Sequence, residues 1–305
     1  MRYDELALRG GAPAFRPDPA DPAYLLGTMA RIDRAATLRG VRTVRDGTVI
    51  PLNAWVDEIS PPFFGRDPLR HDIIPMGPGH LDETLDRFNP QASSQWDGLG
   101  HVVGLDGLFF PDATREDILA GRRDHIGALA SRGIATRGVL IDLSDYVVGH
   151  GSYDAPLEIP LAVVSAAIED AGAGLEPGDV LVVHTGFLDW YRLLDRDRRV
   201  ELSRAKPAMP GIGHGADMVR MLWDAGLAAI VSDTPGVESA PVRDPTEKFH
   251  HRMIGNLGFW FGELWDLGAL ARRLQSIGRA DFLLTSAPMR LHGAVGSPAN
   301  ALGIL

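Results

Sequence analysis

The sequence predicts an α/β fold on three observations: helical apolar stripes alternate with short continuous apolar runs, several helical stretches carry their own start or stop residues, and no internal repeat or low-complexity tract breaks the series. Residues 1–50 read as polar turns and short charged pieces, because Pro13, Pro17, Pro19 and Pro22 oppose a long helix. Thr114 followed by Glu116 and Asp117 marks a helix start, and Ile118, Leu119, Ile126 and Leu129 carry an apolar stripe on to Gly133. A buried strand is expected at 139–143. A helix at 161–171 stops in Gly172 and Gly174, and the run Val180-Leu181-Val182-Val183 then predicts a strand at 179–185. The same order repeats with a helix at 217–225 and a strand at 227–231, then a helix at 267–277 and a strand at 282–285.

Composition narrows the function. A chain of 305 residues with 45% hydrophobic content closes a substantial core. Forty acidic against 30 basic side chains leave a net charge of −10, which repels polyanions, so nucleic acid is not expected as a partner. There is no cysteine, which excludes disulfides, a thiolate nucleophile and zinc–sulfur sites and leaves His, Asp and Glu as metal ligands. No stretch approaches the roughly 20 apolar residues of a membrane span, and residues 1–10 do not read as a leader, so a cytoplasmic location away from membranes is the expectation. Gly 35 and Pro 22 indicate many turns. Gly211, Gly213 and Gly215 evoke a phosphate loop, but Pro207 and Pro210 precede them and the spacing is not that of a dinucleotide fingerprint. Neither a Walker loop nor a Gly-x-Ser-x-Gly elbow is present.

Two segments carry the chemistry. Asp97 stands four residues before His101, a spacing that places both side chains on one face of a strand or a helix; the same pair also reads as a salt bridge in a turn. Further on, Glu263 follows the apolar run Phe259-Trp260-Phe261. Burying that carboxylate is costly unless it meets a cation or hydrogen-bond donors. His250 and His251 precede it, and adjacent residues diverge too far for both to face one ion.

Taken together, these segments resemble the cyclase family of metal-dependent hydrolases, which includes bacterial kynurenine formamidases, isatin hydrolases and trans-dienelactone hydrolases. The resemblance extends from Asp57 to Leu305 through Asp57-Glu58-Ile59-Ser60-Pro61, the family's early strand and turn, Gly178-Asp179-Val180-Leu181 with Thr185-Gly186, and Pro210-Gly211-Ile212, the turn before its next helix. Ala229-Ile230-Val231-Ser232-Asp233-Thr234 and the ending Pro288-Met289-Arg290-Leu291 with Gly293 and Gly296-Ser297-Pro298 continue it. It implies the family's swivelling β/β/α domain over 57–305, with 1–56 as an N-terminal arm packed on it, and a homodimer or higher homo-oligomer.

Against the family's metal motif, His-x-Gly-Thr-His-x-Asp, Asp97 stands at the first histidine, His101 at the second and Val103 at the aspartate, as in the family's Gln-Trp-Asp branch. The implied ligands are Asp97, His101, His250 and Glu263, with His251 as the alternative to His250. Where the formamidase type has a proton-shuttling histidine this chain has Gly107, so the likeness is to the scaffold rather than to that activity. Nitrogen and oxygen ligands suit one Mn²⁺ or Zn²⁺ ion that activates water to open a small amide or lactone. Glu263 is the expected base, with His214 next and His184 and His292 as weaker candidates; Gln95 and Trp96, with Phe259 and Trp260, are expected to contact the small-molecule substrate. A lyase or cyclisation catalyst acting on a polyketide-like intermediate, and a non-catalytic metal or ligand binder, are the competing functions.

Overall fold

The computed structural model describes residues 1–123, 125–204, 208–242 and 248–305, so Pro207 lies outside the described residues. Among these residues nine strands form the main sheet, in the order Gly296–Pro298, Gln95–Asp97, Trp260–Glu263, Ala229–Ser232, Val180–His184, Ile134–Asp142, Asp281–Ser286, Ala301–Ile304 and Val49–Pro51. The four central strands run parallel, and antiparallel strands flank them on both sides. Parallel strands are covered on both faces, which is why Val180 to Val183 form an unbroken apolar run and are all buried.

The expected α/β alternation is present in the helices Leu161–Asp170, Ala216–Asp224 and Gly268–Ser276, each followed by a strand. Met218, Val219, Leu222 and Trp223 form one stripe of the second helix and join the main core. Fully burying each such side chain contributes about 1.5–3 kcal/mol, before conformational entropy is charged against it. The first residues also enter this core: Tyr3, Leu6, Met29 and Ile32 belong to the same buried cluster as the sheet, and Val49–Pro51 is its edge strand.

Some expectations change. The stripe from Ile118 to Leu129 is two helices, Arg115–Leu119 and His125–Arg132. The start is as read, with Thr114 Oγ1 accepting the Asp117 amide and Asp117 accepting the Thr114 amide. The break comes at Gly121, whose φ of 64° is left-handed; Arg122 beyond it bonds Asp117 at 2.8 Å, and Leu119 before it is exposed. Asp57 to Pro61 forms turns without a strand, and Pro210–Ile212 is a short strand parallel to Leu157–Ile159 rather than a turn. An exposed hairpin, Arg70–Gly77 with His80–Asp86, and the two C-terminal strands have no counterpart in the sequence reading. Among the described residues no helix is long and apolar enough to cross a membrane.

Candidate metal centre

The strand Gln95–Asp97 lies antiparallel to Trp260–Glu263, with Asp97 opposite Phe261 and Gln95 opposite Glu263. Because strand side chains alternate, Gln95, Asp97 and Glu263 share one face of the sheet. Trp96 takes the other face. It is fully buried, its ring centroid 4.9 Å from that of Trp265 and its Nε1 donating to Ser286 Oγ at 2.9 Å, so it stands in the core rather than in a substrate wall. Phe259 and Trp260 are likewise fully buried.

His250 approaches the carboxylates from the helical segment that runs into a π-type turn, His251–Asn256. Such turns are rare and frequent at functional sites. His250 Nε2 lies 2.9 Å from Glu263 Oε1 and 3.7 Å from Asp97 Oδ2. One ligand atom each from Asp97, His250 and Glu263 falls within 4.8 Å of the others, the grouping a single ion requires. Among the described residues Asp97 Oδ2 has no hydrogen-bond partner although it is buried, a costly state for a carboxylate oxygen that a cation relieves. These residues fit a divalent ion.

His101 stands beside this trio rather than within it, with Nε2 3.9 Å from Asp97 Oδ2. It occupies a turn after the strand, its amide bonded to Gly98 at 2.9 Å, so the spacing of four works through a turn and not through regular structure. Gln91 braces both groups: its Nε2 donates to Asp97 Oδ1 at 2.7 Å and lies 2.9 Å from His101 Nδ1. Gln95 Nε2 donates to Glu263 Oε2 at 2.7 Å, placing Gln95 at the centre as a brace of the carboxylate. His251 also lines the adjoining cavity but is not in the group of three.

The two carboxyls are pushed apart. Burial and the negative charge of Asp97 raise Glu263 to about 7, whereas His101 and His250 overcome burial at Asp97 and hold it at about 2. The cavity above them has a volume of about 500 Å³ and an apolar wall that includes Phe64, Val102 and Met209. Arg66 also lines it, its guanidinium 5.0 Å from the Phe64 ring and bonded to the Gln91 carbonyl. Burial pulls its pKa down while Asp97 and Glu263 pull it up.

The other candidate histidines lie elsewhere. His214 Nδ1 is 3.9 Å from Glu158 and its carbonyl accepts Arg252, and it is not among the residues lining this cavity. His184 is paired with Asp142 at 2.9 Å, and His292 lines a separate cavity of about 340 Å³. Gln91, Arg66 and Glu238, which contacts His250, were missed by the sequence reading because none sits at a recognisable motif spacing.

Residues 22–239 match the Cyclase family model, described as "Putative cyclase". A crystal structure of a novel cyclase superposes with a TM-score of 0.81 at 25% identity, covering 93% of this chain and 97% of that one. Isatin hydrolase A from Labrenzia aggregata, bound to benzyl benzoate, gives 0.64 at 17% identity over 87% of this chain and 95% of its own. An isatin hydrolase bound to the product analogue thioisatinate gives 0.60 at 14% identity over 90% and 99%. No curated protein matches the chain. With most of its length matched to that family and its fold shared along nearly the whole of a cyclase structure, this chain belongs to the Cyclase family.

Proposed function

We propose that this protein is a metal-dependent hydrolase that opens a small amide or lactone. The observation that carries the reading is the convergence of Asp97, His250 and Glu263 with an unpartnered Asp97 oxygen at a cavity sized for a small molecule. Asp97, His250 and Glu263 would hold the ion, with His101 beside them; Mn²⁺ and Zn²⁺ both suit this nitrogen and oxygen set. When bound, such an ion lowers the pKa of water and polarises a carbonyl, so the chain needs no side-chain nucleophile.

The protein's own groups do the rest. Glu263 is the carboxylate placed to accept the proton that the attacking water gives up, and Gln95 keeps that carboxyl oriented. The apolar wall excludes water around the substrate body. Arg66 adds positive charge near the acid cluster, suited to a carbonyl oxygen that becomes negative during attack.

The test is metal analysis of untagged protein followed by a panel of esters, lactones and amides with Mn²⁺ or Zn²⁺. About one ion per chain and products carrying one added water are expected. Tight metal retention without turnover across the panel would indicate a binding protein, and products formed by loss of water would indicate a lyase. Full activity in metal-free protein defeats the reading.

A further inference from the structure

Glu238 is 7% exposed, and burying a carboxylate is costly unless a specific partner compensates. Its Oε1 lies 2.7 Å from His250 Nδ1, placed to accept a hydrogen bond from it; its second oxygen, Oε2, is buried with no partner among the described residues. The backbone that carries it is held firmly. Ile212 donates to the Val237 carbonyl at 3.1 Å and Ser239 donates to the Ile212 carbonyl at 3.2 Å, so residues 237–239 lie bonded along the strand Pro210–Ile212. Gly211 makes this approach possible, since a Cβ there would stand 2.3 Å from the Glu238 carbonyl carbon. The glycine that evoked a phosphate loop in the sequence serves instead to seat an acidic side chain.

A neutral imidazole carries one N–H and one lone pair, and the hydrogen bond made by one nitrogen decides which atom is free to ligate. In a neutral His250 that donates Nδ1–H to Glu238, the lone pair would be on Nε2, the atom that faces Asp97 and Glu263. We propose that Glu238 is a positioning residue that fixes the tautomer and ring direction of His250 so that Nε2 is presented to the cation. This rests on the reading that Asp97, His250 and Glu263 hold a divalent ion. It also gives a reason, independent of spacing, why His250 and not its neighbour His251 is the ligand.

The experiment compares wild type, Glu238→Ala and Glu238→Gln. Mn²⁺ and Zn²⁺ affinities are measured by chelator competition, and the Nδ1–H proton of His250 is followed by NMR in the Zn²⁺-loaded protein, assigned by its loss in His250→Ala. Glu238→Ala is expected to lose about 10- to 100-fold in affinity, as removal of such outer partners typically does, and to lose the slowly exchanging proton. Glu238→Gln retains an acceptor oxygen, so it should lose less affinity while the proton shifts upfield from its carboxylate-bonded position. Thermal unfolding of the metal-free variants checks that each is folded. If Glu238→Ala does not fold, an unmoved Nδ1–H signal in Glu238→Gln overturns the proposal by itself. Tight metal binding by wild type with affinity unchanged within about twofold in Glu238→Ala overturns this inference alone, whereas wild type that binds neither ion overturns the metal reading with it.

Discussion

His250 and His251 are neighbours in sequence, both reach the cavity, and only His250 closes on the two carboxylates. Replacing His250 by alanine is therefore expected to lower metal affinity and turnover by orders of magnitude, and His251→Ala to cost far less. Titrating both variants with metal under identical conditions decides it, and the reverse order would assign the ligand to His251. The Asp142–His184 pair, away from the cavity, makes a second prediction at this scale. The hydrogen bond and charge of His184 outweigh burial and hold Asp142 at about 2, while Asp142 and Asp233 raise His184 against its own burial. A lowered acid contributes stability above its unfolded value that is lost as pH falls, and a raised histidine contributes stability that is lost as pH rises through its folded value. The pair thus stabilises most between about pH 4 and pH 6.5. Asp142→Asn should lower the melting temperature most in that window, with the gap to wild type shrinking at higher pH; a gap that does not vary with pH would mean that the pair is not ionised.

The elements around the centre are bound together by a sharp connection. The π-type turn His251–Asn256 passes into the strand Trp260–Glu263 through Gly258, whose φ is 66° and whose amide closes on Ile254 at 3.0 Å. Phe110 packs directly on it, so a Cβ there would meet the ring at 2.5 Å. This one turn sets the distance between His250, before it, and Glu263, after it. Gly258→Ala combines an unfavourable left-handed backbone with overpacking and should destabilise the protein by about 1–3 kcal/mol. Metal affinity should fall with it, because the two ligands are displaced relative to each other. Denaturant midpoints and metal titration measure both effects, and a variant equal to wild type in each would show that the turn tolerates a side chain.

For the whole molecule, the centre joins segments far apart in the chain: Gln95 and Glu263 pair across 168 positions, and a bound ion would clamp strands that only the folded state brings together. A ligand that binds the native state alone stabilises it by about 2.7 kcal/mol at 100 times its dissociation constant. Added Mn²⁺ or Zn²⁺ should accordingly raise the melting temperature by a few degrees, and a chelator should reverse the gain. Asp97→Ala should show no such response. A metal-dependent shift of wild-type size in that variant would place the ion elsewhere.

Helix and strand alternation was legible because it rests on local periodicity, as in Met218, Val219, Leu222 and Trp223 on one helical stripe and Val180 to Val183 in a buried strand. Glu263 stood out for a related reason: a carboxylate placed after Phe259-Trp260-Phe261 needs a partner wherever the strand goes, whereas Asp97, His101 and His250 were singled out as ligands only through the family resemblance. The resemblance carried the family. The break at Gly121 was not legible, because a single glycine inside an apolar stripe does not say whether the helix runs through it or turns there. Nor was the facing of Trp96, since adjacent strand residues point to opposite sides and only the pairing with Trp260–Glu263 decides which side meets the cavity. Gln91, Arg66 and Glu238 belong to the centre through contacts with residues 6 to 12 positions away or farther, without any shared period. Local pattern thus determined the alternation of the central helices and strands and the need of Glu263 for a partner, while the tertiary structure alone decided which face, which neighbour and which nitrogen, because those are set by long-range pairing and packing that no short window of sequence contains.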